Sequence, residues 1–541
     1  MAYIFAARDP SRPQWDMTLG ELLEQAAEAL PEKAYLYFYD QRVTYQQLRE
    51  NSLKAARVFQ DMGVSRGDRV CLFLPNCPEF LYCWFGLGYL GAVGVPINTA
   101  YKEDEASYIV EHTEARLLLA HASLMDVAQK LRGRCKQLGV FLSLGSEGSR
   151  PSGWEDFSAL LESATPQETR PEAAPQDLSM LIYTSGTTGR PKGVMITHQM
   201  YVAAGQGFAT WTEASPEDRF FTCLPYFHAN THYYSTMGSL AAGASLAVVD
   251  RFSASHFWEQ VRQSGATVVN FIGMMLPVLL KQPPAPEERE HRVRLFYGSP
   301  AYAPDMLAQF EERFRVKVLI GFGLTESCYG TIEPMGQVRR PGSSGLARWH
   351  PDPRFLNEIR IADERGRFLP AGQAGEIVIR NPAVTPGYWK DAERTQETLR
   401  GGWLHTGDLA RMDGDGYLYF VDRKKDVIRR RGENISSQEV EEVVKRHPKV
   451  LDCAVVAVPS ELGEDEVKAV VVLKQGEGIK PEEVVYWCAD RLAYFKVPRY
   501  VEFRDDLPRT PSLRVRKDLL RQEHDPTKGC FDREKAGIRI R

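Results

Sequence analysis

Apolar and polar positions follow two rhythms along this chain. In the first several hundred residues short apolar runs alternate with stretches of helical spacing. Leu19, Leu22, Leu23 and Ala26 recur at helical intervals, residues 35–38 and 43–44 read as paired strands around Asp40-Gln41, and a helix runs from Tyr45 towards Gly63. Strands are expected at 70–74, 116–120, 180–183, 194–196, 220–225, 245–249, 267–271, 294–297 and 316–320, with helices at 108–114, 256–264 and 277–281. This alternation predicts a large N-terminal domain of mostly parallel α/β sheets, which place ligands at the carboxyl ends of their strands. Between 355 and 380 short strands separated by tight turns predict an antiparallel, barrel-like subdomain. A helix at 436–447, strands at 453–458 and 468–473 and a helix at 481–492 then form a small α+β domain, and the polar residues 522–541 read as a loosely held tail. The expected division is 1–421 and 422–541.

Residues 80–97 are almost wholly apolar and approach the length of a membrane span. Five breaks, at Gly86, Gly88, Gly91, Gly94 and Pro96, argue instead for a buried helix starting near Pro78 and a strand at 93–97, with no transmembrane segment. The 541 residues suggest more than one domain, and a net charge of -4 gives no reason to expect nucleic acid. Nine cysteines without metal-ligand spacing, and an N-terminus without a signal-like core, favour a reduced, cytoplasmic setting. Oligomeric state is not legible.

The richest chemistry lies at 181–198. An apolar strand breaks into Thr184, Ser185, Gly186, Thr187, Thr188 and Gly189, and Lys192 follows before a strand resumes. Small residues admit a ligand to the backbone, hydroxyls and amides donate, and a lysine adds charge, which together suit a polyphosphate. The P-loop of nucleotide hydrolases is excluded, because Pro191 and Gly193 flank the lysine. Gly298-Ser299-Pro300 also ends a predicted strand. So does 321–327, where Gly323 admits a planar base, Phe322 offers a stacking face, Thr325 a hydroxyl and Glu326 a hard oxygen for magnesium. Asp408, on a Gly turn, can accept from two vicinal hydroxyls.

These stretches resemble, in order and over residues ~18 to ~520, the motifs of the adenylate-forming superfamily of acyl-CoA synthetases, adenylation domains and luciferases. The resemblance implies ATP and CoA as co-substrates, Mg2+ on Glu326, and a small-molecule carboxylic acid activated as acyl-AMP with pyrophosphate leaving. Thr184, Lys192, Glu326 and Arg514 become the catalytic candidates. The base falls to Gly298, Ser299, Pro300 and Phe322, the ribose to Asp408 and Arg423. Lys425 becomes the hinge of a mobile C-terminal domain, and Arg431 and Gly432 line the CoA path, with Arg431 where the family commonly has a second glycine. The acyl pocket falls to Tyr226, His228, Asn230, Tyr233, Met274, Ser327, Cys328 and Tyr329.

One departure stands out. At 508–517 Leu513 and Arg514 replace the family's glycine and lysine, although Lys496 and Lys517 lie nearby in sequence. An arginine keeps the charge and forks two donors. A nucleotide-binding relative with weak turnover therefore stands beside the acyl-CoA synthetase reading, and an enzyme loading a carrier protein stands as a further alternative. Residues 76–80, 83–87, 257–261 and 419–423 are similar to the carnitine/crotonobetaine–CoA ligase branch.

Overall fold

The computed structural model describes residues 5–146, 150–166, 173–184, 191–273, 275–299, 302, 304–423, 426–430, 433–459, 465–492, 494–510, 514–523 and 525–540. Two large sheets carry the N-terminal part. One has, among the described residues, nine strands in the order Leu346–Ala347, Ser327–Ile332, Lys317–Leu324, Leu295–Ser299, Val268–Ile272, Arg219–Thr222, Ser245–Val248, Ala34–Phe38 and Gln41–Thr44. Its centre is parallel, and antiparallel strands close both edges. The other runs Glu155–Asp156, Val140–Leu144, Leu117–His121, Arg69–Phe73, Val93–Pro96, Leu178–Thr184 and Lys192–Thr197, parallel except for the last pair. A third, antiparallel sheet joins Glu358–Ala362, Ala374–Arg380, Leu399–Arg400, Trp403–Met412 and Leu418–Arg423. Val450–Pro459, Asp465–Leu473, Tyr500–Phe503 and Phe531–Asp532 form the sheet of the smaller C-terminal domain.

The apolar run at 80–97 folds as the helix Pro78–Leu90 and the strand Val93–Pro96. Nearly the whole helix is buried, which is why its sequence shows no polar face. Gly86 is required by packing: a Cβ there would lie 2.8 Å from the Ser52 carbonyl of the helix Tyr45–Asp61. Among the described residues no helix is long and apolar enough to cross a membrane.

Four local expectations change. The strand expected at 220–225 ends at Thr222, because Cys223 onward turns towards the candidate site. The helix expected at 277–281 begins earlier and spans Met275–Leu280. The strand leading to Gly321 does not open into a loop there. It continues as Lys317–Leu324 and turns through Thr325-Glu326 into Ser327–Ile332. The C-terminal tail is docked rather than loose: Phe531–Asp532 pairs with Tyr500–Phe503, Asp532 meets Arg499 at 3.2 Å, and Ile538 and Ile540 pack on the domain core. Those apolar residues are too widely spaced to show as a pattern in sequence.

Candidate active site

The strands Leu178–Thr184 and Lys192–Thr197 pair with Thr184 opposite Lys192, so both ends of the small-residue loop are fixed. Ser185, Gly186, Thr187, Thr188 and Gly189 themselves lie outside the described residues. The Thr184 hydroxyl is buried and has no hydrogen-bond partner among them.

Lys192 Nζ donates to Glu326 Oε1 at 2.8 Å and to the Tyr388 hydroxyl at 2.6 Å, and it sits 4.1 Å from the Tyr388 ring centre. Tyr388 in turn donates to Glu326 Oε1 at 2.8 Å. Glu326 is 7% exposed. Burial alone would raise its pKa, but the Lys192 charge and the hydrogen bonds from Lys192 and Tyr388 outweigh that and hold it below the ordinary carboxylate value. The side chain is therefore an ionised carboxylate with little water around it.

The backbone explains why these groups meet. Glu326 stands in the two-residue turn between Lys317–Leu324 and Ser327–Ile332, and Tyr233 pins that turn by donating to the Thr325 carbonyl at 2.9 Å. Residues 385–389 then strap the turn to the other sheet. The Thr385 amide donates to the Glu326 carbonyl at 2.8 Å and its hydroxyl to the Met195 carbonyl at 2.6 Å. The Met195 amide donates to Gly387, and the Trp389 amide to Gly193. Gly387 adopts φ 137°, and a Cβ there would collide with Thr395.

The glycines of the 321–327 stretch serve the fold at least as much as a ligand. A Cβ at Gly321 would lie 2.7 Å from Arg348 Nη2, and one at Gly323 would lie 2.7 Å from the Tyr234 hydroxyl. Arg348, fully buried, staples this hairpin by donating to the Thr331 carbonyl at 3.0 Å and the Tyr234 hydroxyl at 2.8 Å. Phe322 packs towards Phe420 of the antiparallel sheet, with ring centres 6.4 Å apart. Gly298 admits the Phe271 carbonyl, 2.3 Å from where its Cβ would stand, and Ser299 ends its strand exposed. Asp408 is the register partner of Arg423 and follows Gly407, which has φ 72° and donates its amide to Glu376 at 3.0 Å.

Of the expected acyl-pocket residues, His228, Asn230 and Tyr233 gather on one segment, which continues into a π-helical turn, Thr231–Thr236. Such turns recur at functional sites. The His228 Nε2 atom is buried and has no partner among the described residues. Burial, then the nearby charge of Arg514, pushes the His228 pKa down to about 4. His228 is thus neutral above about pH 5, and the pH–rate profile is expected to carry no inflection from it between pH 5 and 8. An inflection near 6.5 that vanished in His228→Gln would contradict this placement.

Ser327 and Cys328 are instead enclosed in the core. The Ser327 oxygen accepts from the Tyr329 amide and from Asn381, both at 3.3 Å, and burial pushes the Cys328 thiol up to about 12. Tyr226 stacks on Phe80 at 4.7 Å, and Tyr329 donates to the Ala203 carbonyl at 2.7 Å. The sequence order gave no means of telling pocket wall from pocket lining along this strand.

Met274, Pro300, Lys425, Arg431 and Gly432 lie outside the described residues, as does the Arg423 side chain. Arg514 is exposed, and the Thr510 amide donates to its carbonyl at 2.7 Å. The two neighbouring lysines are committed elsewhere. Lys517 pairs with Glu441 and donates to Ser437, and Lys496 pairs with Glu439 at 2.7 Å.

Two contributors were missed by sequence reasoning. Tyr388 sits in an unremarkable Pro-Gly-Tyr-Trp run and is recognisable only in three dimensions. Asn270 interrupts the otherwise apolar strand Val268–Ile272, a signal that was available. It donates to Asn230 at 2.7 Å and to Ser235 at 3.2 Å, and its Oδ1 is buried without a partner among the described residues.

Among the described residues no three His, Cys, Asp or Glu side chains gather as a metal cluster. What the site offers is one ionised carboxylate, one orphaned hydroxyl and a lysine at the junction of two sheets.

A family model described as AMP-binding enzyme matches residues 23–389, and one described as AMP-binding enzyme C-terminal domain matches residues 439–514. A crotonobetaine/carnitine–CoA ligase from Salmonella paratyphi A is 36% identical over 519 residues, covering 93% of this chain and 98% of that protein. A ligase of the same name from Salmonella typhi is 37% identical, covering 88% and 93%. Among solved structures, an anthranilate CoA ligase in complex with anthranoyl-AMP superposes with a TM-score of 0.86 at 25% identity, covering 95% of this chain and 98% of that one. ATP-bound MatB from Rhodopseudomonas palustris gives 0.84 at 27% identity, covering 94% and 99%.

Proposed function

Because the chain belongs to the AMP-binding enzyme family, we propose that it is an AMP-forming acyl-CoA ligase working in the cytoplasm on a small carboxylic acid. The observation that carries this reading is the convergence of Thr184, Lys192 and Glu326 from two sheets. A carboxylate oxygen of the acid attacks the α-phosphorus of ATP, pyrophosphate leaves, and the acyl adenylate remains. The CoA thiol then attacks the acyl carbon and AMP leaves. Lys192 holds the departing phosphates, and Arg514 stabilises charge at the α-phosphorus. Asp408 and Arg423 orient the ribose. Residues 1–421 form the ATP- and acyl-binding domain, and 422–541 turn about Lys425 to bring Gly432 and Arg431 to the CoA path.

A magnesium ion fits the donors present. Glu326 supplies an ionised, buried carboxylate oxygen and Thr184 a hydroxyl without a partner among the described residues, both hard ligands. When bound, the ion would offset the charge of the leaving pyrophosphate.

For the acid, the curated relatives are named for crotonobetaine and carnitine. The linked amides of Asn230 and Asn270, beside a neutral His228, favour an acid with a polar, uncharged or zwitterionic tail over a long alkyl chain. Phe80 stacks on Tyr226 and Trp84 packs against His232, so these rings face each other rather than an open cage. The test is a panel of carnitine, crotonobetaine, benzoate and fatty acids with ATP, magnesium and CoA. AMP release that needs both a polar short acid and CoA supports the proposal. Acid-dependent pyrophosphate exchange without thioester would point to carrier-protein loading, and ATP binding without either product would reduce the chain to a nucleotide-binding relative.

A further inference from the structure

Tyr388 stands at the centre of the charged group without an evident reason to be polar. It is 3% exposed, and a phenylalanine would satisfy the packing. Its hydroxyl nevertheless accepts from Lys192 and donates to Glu326. Its backbone is held on two sides: the amide donates to Thr395 at 3.0 Å, and the residue bridges to Val194 of the lysine's own strand. Tyr388 is thus a fixed post between two charges that belong to different sheets.

Those charges neutralise each other as they stand. A phosphate at Lys192 and a divalent cation at Glu326 each compete with this contact, since each charge is the other's counter-ion at 2.8 Å. Nucleotide binding therefore loosens the pair, and two buried charges that part without partners are costly. A phenolic hydroxyl has one donor and two acceptor positions. It can keep its bond to the carboxylate and its bond from the ammonium while the direct contact between them opens. The ring face, 4.1 Å from Nζ, gives the ammonium a second fixed attraction.

Resting on the function proposed above, we propose that Tyr388 is the positioning residue of the adenylation half-reaction, keeping Lys192 and Glu326 aimed at the phosphate site when their mutual contact is broken. It is not a catalytic residue, since neither of its bonds goes to a reacting atom.

The test is Tyr388→Phe, which keeps the ring and removes only the hydroxyl. Hydrogen bonds to charged groups are strong enough that their loss weakens ATP binding and adenylate formation by about tenfold or more. The expected result is a tenfold rise in the ATP dissociation constant, measured by calorimetry without acid or CoA. The first half-reaction should slow by a similar factor. The second half-reaction, run from synthetic acyl adenylate and CoA, should stay within twofold of wild type, which also shows that the variant is folded. In the nucleotide-free protein, acylation of Lys192 by an amine reagent, followed by mass spectrometry, should rise severalfold in the variant. ATP affinity and adenylation both within twofold of wild type would overturn the proposal, as would an equal fall in both half-reactions, which marks a merely structural tyrosine. Wild-type protein that binds ATP but activates no acid would instead count against the ligase reading, while the affinity and labelling comparisons would still judge Tyr388.

Discussion

Glu326→Gln is expected to slow acyl-adenylate formation by about a thousandfold while leaving thioester formation from preformed adenylate nearly unchanged. The substitution keeps the shape of the side chain and removes its charge. That charge is unusually well prepared, because the carboxylate stays ionised despite near-complete burial. Glutamine also leaves Lys192 without its buried counter-ion. A preorganised group acting on transition-state charge is worth about 10²–10³ in rate, and the loss of a hard, anionic ligand for a phosphate-bridging cation adds to it. Pyrophosphate release in a single-turnover assay measures the first step, and thiol consumption from synthetic adenylate the second. A fall of less than tenfold in the first step would show that the carboxylate is a structural partner of Lys192 and nothing more.

Arg514→Ala is expected to cost about 10²–10³ in the same first step, and Arg514→Lys to restore most of it. Two neighbouring lysines could have compensated, but their charges are committed: Lys517 to Glu441 and Lys496 to Glu439. Arg514 is the cation of this region whose field reaches His228. Thr510 ties Arg514 from both sides, its amide donating to the Arg514 carbonyl and its hydroxyl accepting from the Arg514 amide, which fixes the base of the side chain. Unchanged pyrophosphate release in Arg514→Ala would mean that the first step draws its positive charge from the N-terminal domain alone.

Much of this was legible in sequence because it depends on local signals. Alternating apolar runs gave the parallel sheets, and the glycines at 86 and 91 gave the helix and turn that explain the apolar stretch before Ile97. Thr184, Lys192 and Glu326 stand out in sequence because small, hydroxyl and charged residues cluster where strands end, and the structure brings Lys192 and Glu326 into contact. What was not legible depends on contacts between distant segments. Nothing in the sequence marks Ser327 and Cys328 as core, because burial there depends on contacts with Arg348, Asn381 and the antiparallel sheet. Tyr388 is 62 residues from Glu326 and 196 from Lys192, and no periodicity links them. The docked C-terminal strand was missed for the same reason: two residues suffice to pair with Tyr500–Phe503, and two residues make no pattern.

The strap at 385–389 has a further consequence. Lys192 belongs to the seven-stranded sheet and Glu326 to the nine-stranded one, so the spacing of the two charges is a property of how the sheets are moored to each other. That mooring acts as the ruler of the site. A change deep in either sheet can therefore detune the site from a distance.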